Sequence, residues 1–162
     1  RLLLNMRDNT GKSCRAQAFS KDGGETWSEV VYDPALNECP CQASIMRLPK
    51  KPASGTADKR NRLLFANPDN AGVRIDAVPR TKMTVKLSYD DGRTWPVKRL
   101  IYPGPSAYSS LVCLPDGNIG LLFEGSEKHY MNGIRFARFS PEWLEGGTAP
   151  KDGAGEADKG KR

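Results

Sequence analysis

One octapeptide occurs twice in the chain, and it limits the possible folds more than any other feature. Residues 20–27 and 88–95 both read Ser-x-Asp-x-Gly-x-Thr-Trp, with 68 residues from Ser20 to Ser88. Repeats on this scale are typical of propellers and solenoids, in which each repeat is one supersecondary unit. The spacing is long for a single unit, and the polar segment Lys50–Asn61 accounts for the excess as a loop insertion.

The residue types of the octapeptide are those of a hairpin turn. The aspartate can accept hydrogen bonds from turn amides, the glycine permits a positive φ, and the tryptophan can pack between neighbouring sheets. A carbohydrate-binding role for the aspartate and tryptophan is the alternative, but a structural turn is favoured. The shared positions are Ser20, Asp22, Gly24, Thr26 and Trp27 in the first copy and Ser88, Asp90, Gly92, Thr94 and Trp95 in the second.

Short β-type segments separated by Gly, Pro, Asn and Asp make up most of the chain, and helical periodicity is nearly absent. This pattern predicts an all-β fold. Met83, Val85 and Leu87 show the alternation of a half-buried strand. The predicted strands are Leu2–Met6, Cys14–Phe19, Glu29–Tyr32, Gln42–Leu48, Arg62–Ala66, Lys82–Ser88, Val97–Tyr102, Ser109–Leu114, Asn118–Phe123 and Gly133–Phe139.

The β pattern covers residues 1–144 and stops there. Glu145–Arg162 is rich in Gly, Ala, Lys, Asp and Glu and has almost no large apolar side chain, so we expect a disordered tail or linker. The opening Arg1–Met6 reads as the middle of a strand, so we expect a preceding portion of the protein. No apolar run approaches the length of a membrane span.

The chain is basic, with a net charge of +6 from 25 Lys and Arg against 19 Asp and Glu. The basic residues are scattered, and aromatic residues do not alternate with them as a nucleic-acid stacking platform requires. We therefore expect no nucleic-acid partner. A basic surface can also attract an anionic substrate.

The four cysteines are Cys14, Cys39, Cys41 and Cys113. Cys39-Pro40-Cys41 is too tight for a typical zinc knuckle, and the chain has one histidine, His129. We expect buried free thiols, or at most one disulfide, and no metal. The count leaves the cellular compartment open.

The octapeptide resembles the Asp-box of sialidases and related propellers, in which it joins the third and fourth strands of a blade. This resemblance implies a partial six-bladed β-propeller of about three blades. The first blade keeps strands two to four, the second runs from Gln42 to Tyr102, and the third has three strands from Tyr108 to Phe139. Such a piece has open sheet edges unless a partner, here the N-terminal part of the propeller, covers them.

The blade register places four polar or aromatic residues on one face. Arg7 and Arg80 fall in connections between second and third strands, Tyr108 falls between two blades, and Glu124 ends a second strand. The Asp-boxes lie on the opposite face. Two arginines, a tyrosine and a glutamate are therefore expected to converge.

The segments that hold these residues resemble bacterial-type exo-α-sialidases (neuraminidases), from about Arg1 to Leu144. Residues 4–9, Leu-Asn-Met-Arg-Asp-Asn, resemble the segment that carries the second arginine of the family's carboxylate-binding triad. Arg80 lies eight residues before Ser88, where the third triad arginine falls. The resemblance thus implies that Arg7 and Arg80 bind the carboxylate of a sialic acid.

Three further segments carry the resemblance. Residues 105–111, Pro-Ser-Ala-Tyr-Ser-Ser-Leu, are similar to the family's nucleophile segment, which implies that Tyr108 is the nucleophile. Residues 121–124, Leu-Leu-Phe-Glu, are similar to the following strand, whose glutamate supports the first triad arginine and corresponds to Glu124. Residues 41–44, Cys-Gln-Ala-Ser, resemble a family strand start. Sialylated glycans are the implied substrates, without a metal or organic cofactor.

Each assignment has a structural alternative. Tyr108 could be an ordinary core tyrosine, although the small residues around it favour a cleft. Arg7 beside Asp8 could form a surface ion pair, which contributes little. Arg74, in the same loop, is an alternative to Arg80 as the arginine that binds the carboxylate.

Three acidic or basic residues invite other interpretations. Glu124 could end its strand in solvent, although the resemblance favours a supporting role. Glu38 could be mistaken for the base that activates the tyrosine, but the family's base precedes the Arg7 segment, so we interpret Glu38 as a loop residue. His129 is interpreted as a loop residue and not as a catalyst.

Other groups of the family's site have no counterpart in this chain. By resemblance, the first triad arginine, the acid/base aspartate and the base glutamate all belong before Arg1. Loss of general acid–base groups costs about 10²–10⁴-fold in rate, so we expect the isolated chain to be inactive or nearly so. The alternative function is a non-catalytic Asp-box propeller that binds glycans or proteins.

Overall fold

The structure, a computed structural model, describes residues 1–49, 60–71 and 79–147. The described residues form antiparallel strands with very little helix, which confirms the all-β prediction. The strands are β1 (Leu2–Met6), β2 (Cys14–Ser20), β3 (Val31–Asn37), β4 (Ser44–Arg47), β5 (Leu63–Pro68), β6 (Thr81–Ser88), β7 (Val97–Cys113), β8 (Ile119–Gly125) and β9 (Ile134–Phe139).

The strands are arranged as three consecutive propeller blades. The first blade is a separate sheet in the order β1-β2-β3, and the other six strands form one sheet in the order β4 to β9. The long strand β7 belongs to two blades, because its first half pairs with β6 and its second half pairs with β8. The partial propeller with an incomplete first and last blade is confirmed.

The continuity of β7 corrects the prediction of two strands, Val97–Tyr102 and Ser109–Leu114. Pro103, Gly104 and Pro105 lie between the two predicted strands, at the point where the pairing with β6 is irregular. A proline is tolerated at such a point because no ladder hydrogen bond needs its missing N–H group. The chain therefore passes from one blade to the next without leaving extended conformation.

Strand β3 also differs from its prediction, Glu29–Tyr32. It runs from Val31 to Asn37 and includes Pro34 within an irregularity: Cys14 pairs with Asn37, and the next residue, Arg15, pairs with Asp33. The extra residues of β3 form a bulge, which again accommodates proline.

Two short helices were not predicted from the sequence. A 3-10 turn covers Tyr130–Asn132, and α1 covers Pro141–Leu144. Ser140 caps α1, since its side chain accepts a hydrogen bond from the Trp143 N–H group at 3.1 Å. Among the described residues, no helix is long and apolar enough to cross a membrane.

The main core lies inside the six-stranded sheet. Strand β5 is buried along its whole length, and β6 and β8 supply most of the remaining core residues. Burial of these apolar side chains is the main stabilising contribution to the fold. The core consists of Leu48, Leu64, Ala66, Met83, Val85, Leu87, Ile119, Leu121, Phe123, Phe139 and Leu144.

Polar contacts join the first blade to the second. The Lys86 Nζ atom, almost fully buried, lies 2.9 Å from Asp69 Oδ1 and donates to the Ala35 carbonyl at 2.7 Å. The Trp95 indole donates to Asp33 Oδ2 at 3.0 Å. These contacts fix the relative position of the two blades, and therefore of the loops at their ends.

Both octapeptides form the predicted hairpin turns. In the second copy, Asp90 Oδ1 accepts hydrogen bonds from Ser88 Oγ at 2.8 Å and from the Thr94 N–H group at 2.8 Å. Gly92 has a φ of 83°. The first copy makes the same contacts, but its Trp27 is 43% exposed, whereas Trp95 packs against Phe65 with a centroid separation of 5.9 Å.

The start of the predicted tail takes part in the fold. Glu145 forms ion pairs with Arg60 at 2.8 Å and with Arg62 at 3.6 Å. Most of the predicted polar loop Lys50–Asn61, the competing Arg74, and residues 148–162 lie outside the described residues. All four cysteines are free thiols; Cys14, Cys39 and Cys41 are buried, as predicted, whereas Cys113 is half-buried.

Candidate functional site

Arg7 follows the last residue of β1 and is half-buried. Its Nε atom donates to Asn9 Oδ1 at 3.1 Å. The neighbouring Asp8 does not pair with it: Asp8 is 6% exposed and accepts hydrogen bonds from the N–H groups of Thr10 and Lys12, both at 3.1 Å. Burial raises the pKa of Asp8, but a hydrogen bond from the Thr10 hydroxyl at 2.7 Å, together with those from the N–H groups, outweighs burial and lowers it. The alternative of an Arg7–Asp8 surface ion pair is therefore wrong.

Arg80 lies directly before β6 and is also half-buried. Its Nη2 atom donates to the Pro40 carbonyl at 2.9 Å. The guanidinium carbon lies 5.6 Å from the centroid of the Tyr108 ring and 5.3 Å from that of the Tyr130 ring. The two aromatic rings therefore flank the cation at distances at which cation–π attraction operates.

Neither Arg7 nor Arg80 forms an ion pair with a carboxylate in the described part of the chain. By contrast, Arg15, Arg47 and Arg138 are each paired with an acidic side chain. A guanidinium has five N–H donors, and among the described residues Arg7 and Arg80 each use one of them in a hydrogen bond. Most of their donors are thus available to an external anion.

The two arginines act on the same pair of thiols. Cys39 and Cys41 are 1% and 0% exposed, and Arg80 and Arg7 both lower their pKa values. Burial has the larger effect and raises the pKa of Cys39 to about 11 and that of Cys41 to about 12, so both thiols are neutral near pH 7. The Arg80 guanidinium lies at this segment, because it donates to the carbonyl of Pro40, the residue between the two cysteines.

Tyr108 lies in a bulge of β7. Ser106 pairs with Gly125 and Ser109 with Phe123, so Ala107 and Tyr108 together face one residue of β8. Ala107 is fully buried and Tyr108 is 43% exposed. The bulge therefore turns the phenol outward, which is a common use of bulges beside functional sites. The interpretation of Tyr108 as an ordinary core tyrosine is wrong.

Two side chains hold the backbone around Tyr108. Glu124 Oε2 accepts a hydrogen bond from the Tyr108 N–H group at 3.2 Å. The Gln42 amide bonds both backbone groups of Ser109, accepting from its N–H group at 2.8 Å and donating to its carbonyl at 3.0 Å. Glu124 is thus in contact with the Tyr108 segment, and its predicted role towards an arginine stays a prediction.

The sequence interpretation missed two contacts next to these groups, that of Tyr130 and the ion pair of Arg15 with Glu38. Tyr130 packs against the Cys39, Cys41 and Ala107 cluster and faces Arg80. Glu38 is a loop residue, as predicted, but it is 1% exposed and forms an ion pair with Arg15. Each contact joins distant parts of the chain, and no local pattern signals it.

His129 lies at the edge of this region. Its ring is 4.3 Å from that of Tyr130, and its Nδ1 atom accepts a hydrogen bond from the Met131 N–H group at 3.3 Å. In the described residues it contacts neither arginine. The structure therefore places His129 at the start of the 3-10 turn, in agreement with its interpretation as a loop residue.

Comparison with known proteins identifies the family. A model of the BNR repeat-like domain matches residues 1–121. The sialidase of Micromonospora viridifaciens is 40% identical over 151 residues, which are 93% of this chain and 21% of that protein. The sialidase of Bacteroides fragilis (strain YCH46) is 36% identical over 132 residues, covering 79% of this chain and 22% of that protein. The chain thus spans about a fifth of the length of these curated relatives.

A solved structure agrees with this result. The Hadza microbial sialidase Hz136 superimposes with a TM-score of 0.68 at 33% identity, covering 88% of this chain and 25% of the other. The chain therefore belongs to the BNR repeat-like domain family and corresponds to a part of a bacterial-type sialidase β-propeller.

Proposed function

We propose that this chain is part of a retaining exo-α-sialidase that hydrolyses terminal sialic acids from glycoconjugates. Arg7 and Arg80 bind the sugar carboxylate, and Tyr108 is the nucleophile. The observation that carries the proposal is the exposed side chain of Tyr108, whose ring centroid lies 5.6 Å from the guanidinium carbon of Arg80, an arginine without a carboxylate partner in the described chain.

The carboxylate of a sialic acid matches the arginines. Guanidinium groups bind carboxylates through paired, charge-assisted hydrogen bonds, which fix the orientation of the anion as well as its position. Burial alone would lower the pKa of Arg80, but nearby groups, Cys41 first, raise it above the usual value. Arg80 is therefore cationic throughout the range in which an enzyme works.

A tyrosine suits a substrate whose anomeric carbon carries a carboxylate. A carboxylate nucleophile would be repelled by that anion, whereas a neutral phenol is not, and sialidases are a recognised tyrosine exception among glycosidases. In the proposed step the Tyr108 phenol gives its proton to the family's base glutamate and its oxygen forms a bond to the anomeric carbon. The glycosidic C–O bond breaks, and the leaving oxygen takes a proton from the family's acid/base aspartate. Water then hydrolyses the tyrosyl–sugar bond, and the two displacements together retain the configuration.

Glu124 and Gln42 keep the nucleophile segment in place in this proposal, since they bond the backbone of Tyr108 and Ser109. The resemblance puts the acid/base aspartate, the base glutamate and the first triad arginine before Arg1. The isolated chain is accordingly proposed to bind the sugar weakly and to turn it over slowly or not at all.

A hybrid enzyme tests the proposal. Residues 1–144 replace the matching segment of the Micromonospora viridifaciens sialidase, and release of a fluorogenic sialoside is followed. We expect the hybrid to be active, the Tyr108→Phe hybrid to lose turnover, and a Tyr89→Phe hybrid, altered in the second Asp-box, to keep it. Full activity of a folded Tyr108→Phe hybrid would remove Tyr108 from the mechanism.

A further inference from the structure

A buried ion pair contacts the segment that carries Arg7. Arg15 and Glu38 are 3% and 1% exposed, and Arg15 Nη1 donates to Glu38 Oε2. Arg15 lies in β2, next to β1, and Glu38 follows β3, so the pair crosses the first blade. A buried pair of this kind is weak evidence for stability, because desolvation offsets the Coulombic attraction. Its position therefore needs another explanation.

The pair holds the backbone on both sides of Arg7. Glu38 Oε1 accepts from the Asp8 N–H group at 2.8 Å. Arg15 donates to Asn5 twice, from Nε to Oδ1 at 2.6 Å and from Nη2 to the carbonyl at 3.2 Å. The Glu38 carboxylate forms its ion pair with Arg15 and not with Arg7. The guanidinium of Arg7 therefore stays available to an anion.

The next residues along the chain contact the other parts of the candidate site. Arg15 Nη1 donates to the Cys41 carbonyl at 3.0 Å, and Arg80 Nη2 donates to the preceding carbonyl, that of Pro40, at 2.9 Å. The following residue, Gln42, bonds both backbone groups of Ser109, beside Tyr108. The consecutive residues 40–42 therefore each contact one part of the candidate site. Pro40 contacts Arg80, Cys41 contacts Arg15, and Gln42 contacts Ser109.

We propose that segment 38–42, together with Arg15, is a positioning element that sets the distances between Arg7, Arg80 and Tyr108. The expected effect on affinity for a carboxylate sugar rests on the proposed function. The positioning of the three side chains by this segment does not depend on that function. Arg15 and Glu38 act on Arg7, and Gln42 acts on Tyr108. None of the three side chains is proposed to touch the substrate.

The test separates positioning from general stabilisation. In the Arg15→Met/Glu38→Leu variant, apolar side chains replace the buried pair, an exchange that is often neutral for stability. The control is Lys86→Met, which also removes a buried charge. Lys86 forms an ion pair with Asp69 and donates to the Ala35 carbonyl, and it does not contact Arg7, Arg80 or Tyr108. Mobility of the Arg7 Nε–H group is measured in each folded variant by ¹⁵N relaxation, without ligand.

We expect the double variant to make the Arg7 side chain more mobile and the Lys86→Met variant to leave it unchanged. Unchanged Arg7 mobility in the folded double variant, or an equal change in Lys86→Met, overturns the proposal. If the double variant does not fold, Gln42→Met takes its place at a half-buried position, with mobility of the Tyr108 N–H group as the readout. Unchanged mobility there overturns the proposal as well.

A second arm measures binding of N-acetylneuraminic acid to the same proteins by chemical-shift titration. We expect the Kd of the double variant to rise by about two- to ten-fold, because an arginine side chain that is mobile in the free protein must be ordered on binding. If the unaltered chain does not bind the sugar, the proposed function fails while the relaxation result still decides the positioning role. If the double variant binds as the unaltered chain does, the positioning role is rejected.

Discussion

The guanidinium carbon of Arg80 lies 5.6 Å from the centroid of the Tyr108 ring, although the two residues belong to different blades. A second ring, that of Tyr130, lies 5.3 Å away. The Pro40 carbonyl holds the same guanidinium at 2.9 Å. Arg80 is therefore oriented by three contacts before any ligand arrives, and this preorganisation lowers the entropy lost on binding.

Removal of the second ring is expected to weaken this orientation. Tyr130→Ala should raise the Kd for N-acetylneuraminic acid by about two- to five-fold, since a cation–π contact at an exposed site contributes about 0.5–1 kcal/mol. Tyr130→Phe keeps the ring and should bind like the unaltered chain. Titration followed by NMR measures both, and equal affinities for the alanine and phenylalanine variants would rule out the aromatic contact.

The bond from Tyr108 to Glu124 predicts a local change in hydrogen exchange. Glu124→Ala removes the acceptor of the Tyr108 N–H group, which should exchange about ten-fold faster, since a hydrogen bond to a charged group contributes about 1.5 kcal/mol or more. Glu124→Gln retains an acceptor oxygen and should exchange at nearly the original rate. An unchanged rate in Glu124→Ala would show that this bond does not hold the bulge.

The Asp-box aspartate predicts how stability depends on pH. Burial raises the pKa of Asp90, but hydrogen bonds from Thr94, Ser88 and the Arg93 N–H group outweigh it and lower the pKa to about 2. Because the folded-state pKa lies below the ordinary 3.8, the stabilisation is present above about pH 4 and is lost as the pH falls towards 2.

Asp90→Asn removes this titration. The urea midpoint of the unaltered chain should fall more between pH 6 and pH 2.5 than that of Asp90→Asn. Glu29→Gln, at an exposed position between β2 and β3, serves as the control and should behave like the unaltered chain. Identical pH dependence in Asp90→Asn and the unaltered chain would contradict the assignment.

Local patterns in the sequence, together with the resemblance of the octapeptide to the Asp-box, were sufficient for the blade arrangement. Alternation predicted β6 within one residue of its observed start, and the two octapeptides predicted both hairpins. The loops that carry Arg7 and Arg80 followed from counting strands around these hairpins. Loop positions that depend on strand order are therefore accessible from sequence.

Contacts that depend on tertiary packing were not accessible. Pro103 and Pro105 indicate a break when taken alone, and only the irregular pairing with β6 lets β7 continue through them. Arg15 and Glu38 are 23 positions apart, and neither the spacing nor the flanking residues indicates a buried pair. The bulge that exposes Tyr108 likewise arises from the pairing of β7 with β8 and not from a local motif.

The proposed function requires Arg7 and Arg80 together to bind the carboxylate of a sialic acid. Its most direct test is titration of the ¹⁵N-labelled chain with N-acetylneuraminic acid while the Nε–H signals of both arginines are followed, with N-acetylmannosamine, which lacks the carboxylate, as the control sugar. Both arginine signals should shift together with the acid and stay in place with the neutral sugar. If the acid moves neither signal, or both sugars move them equally, the claim is contradicted.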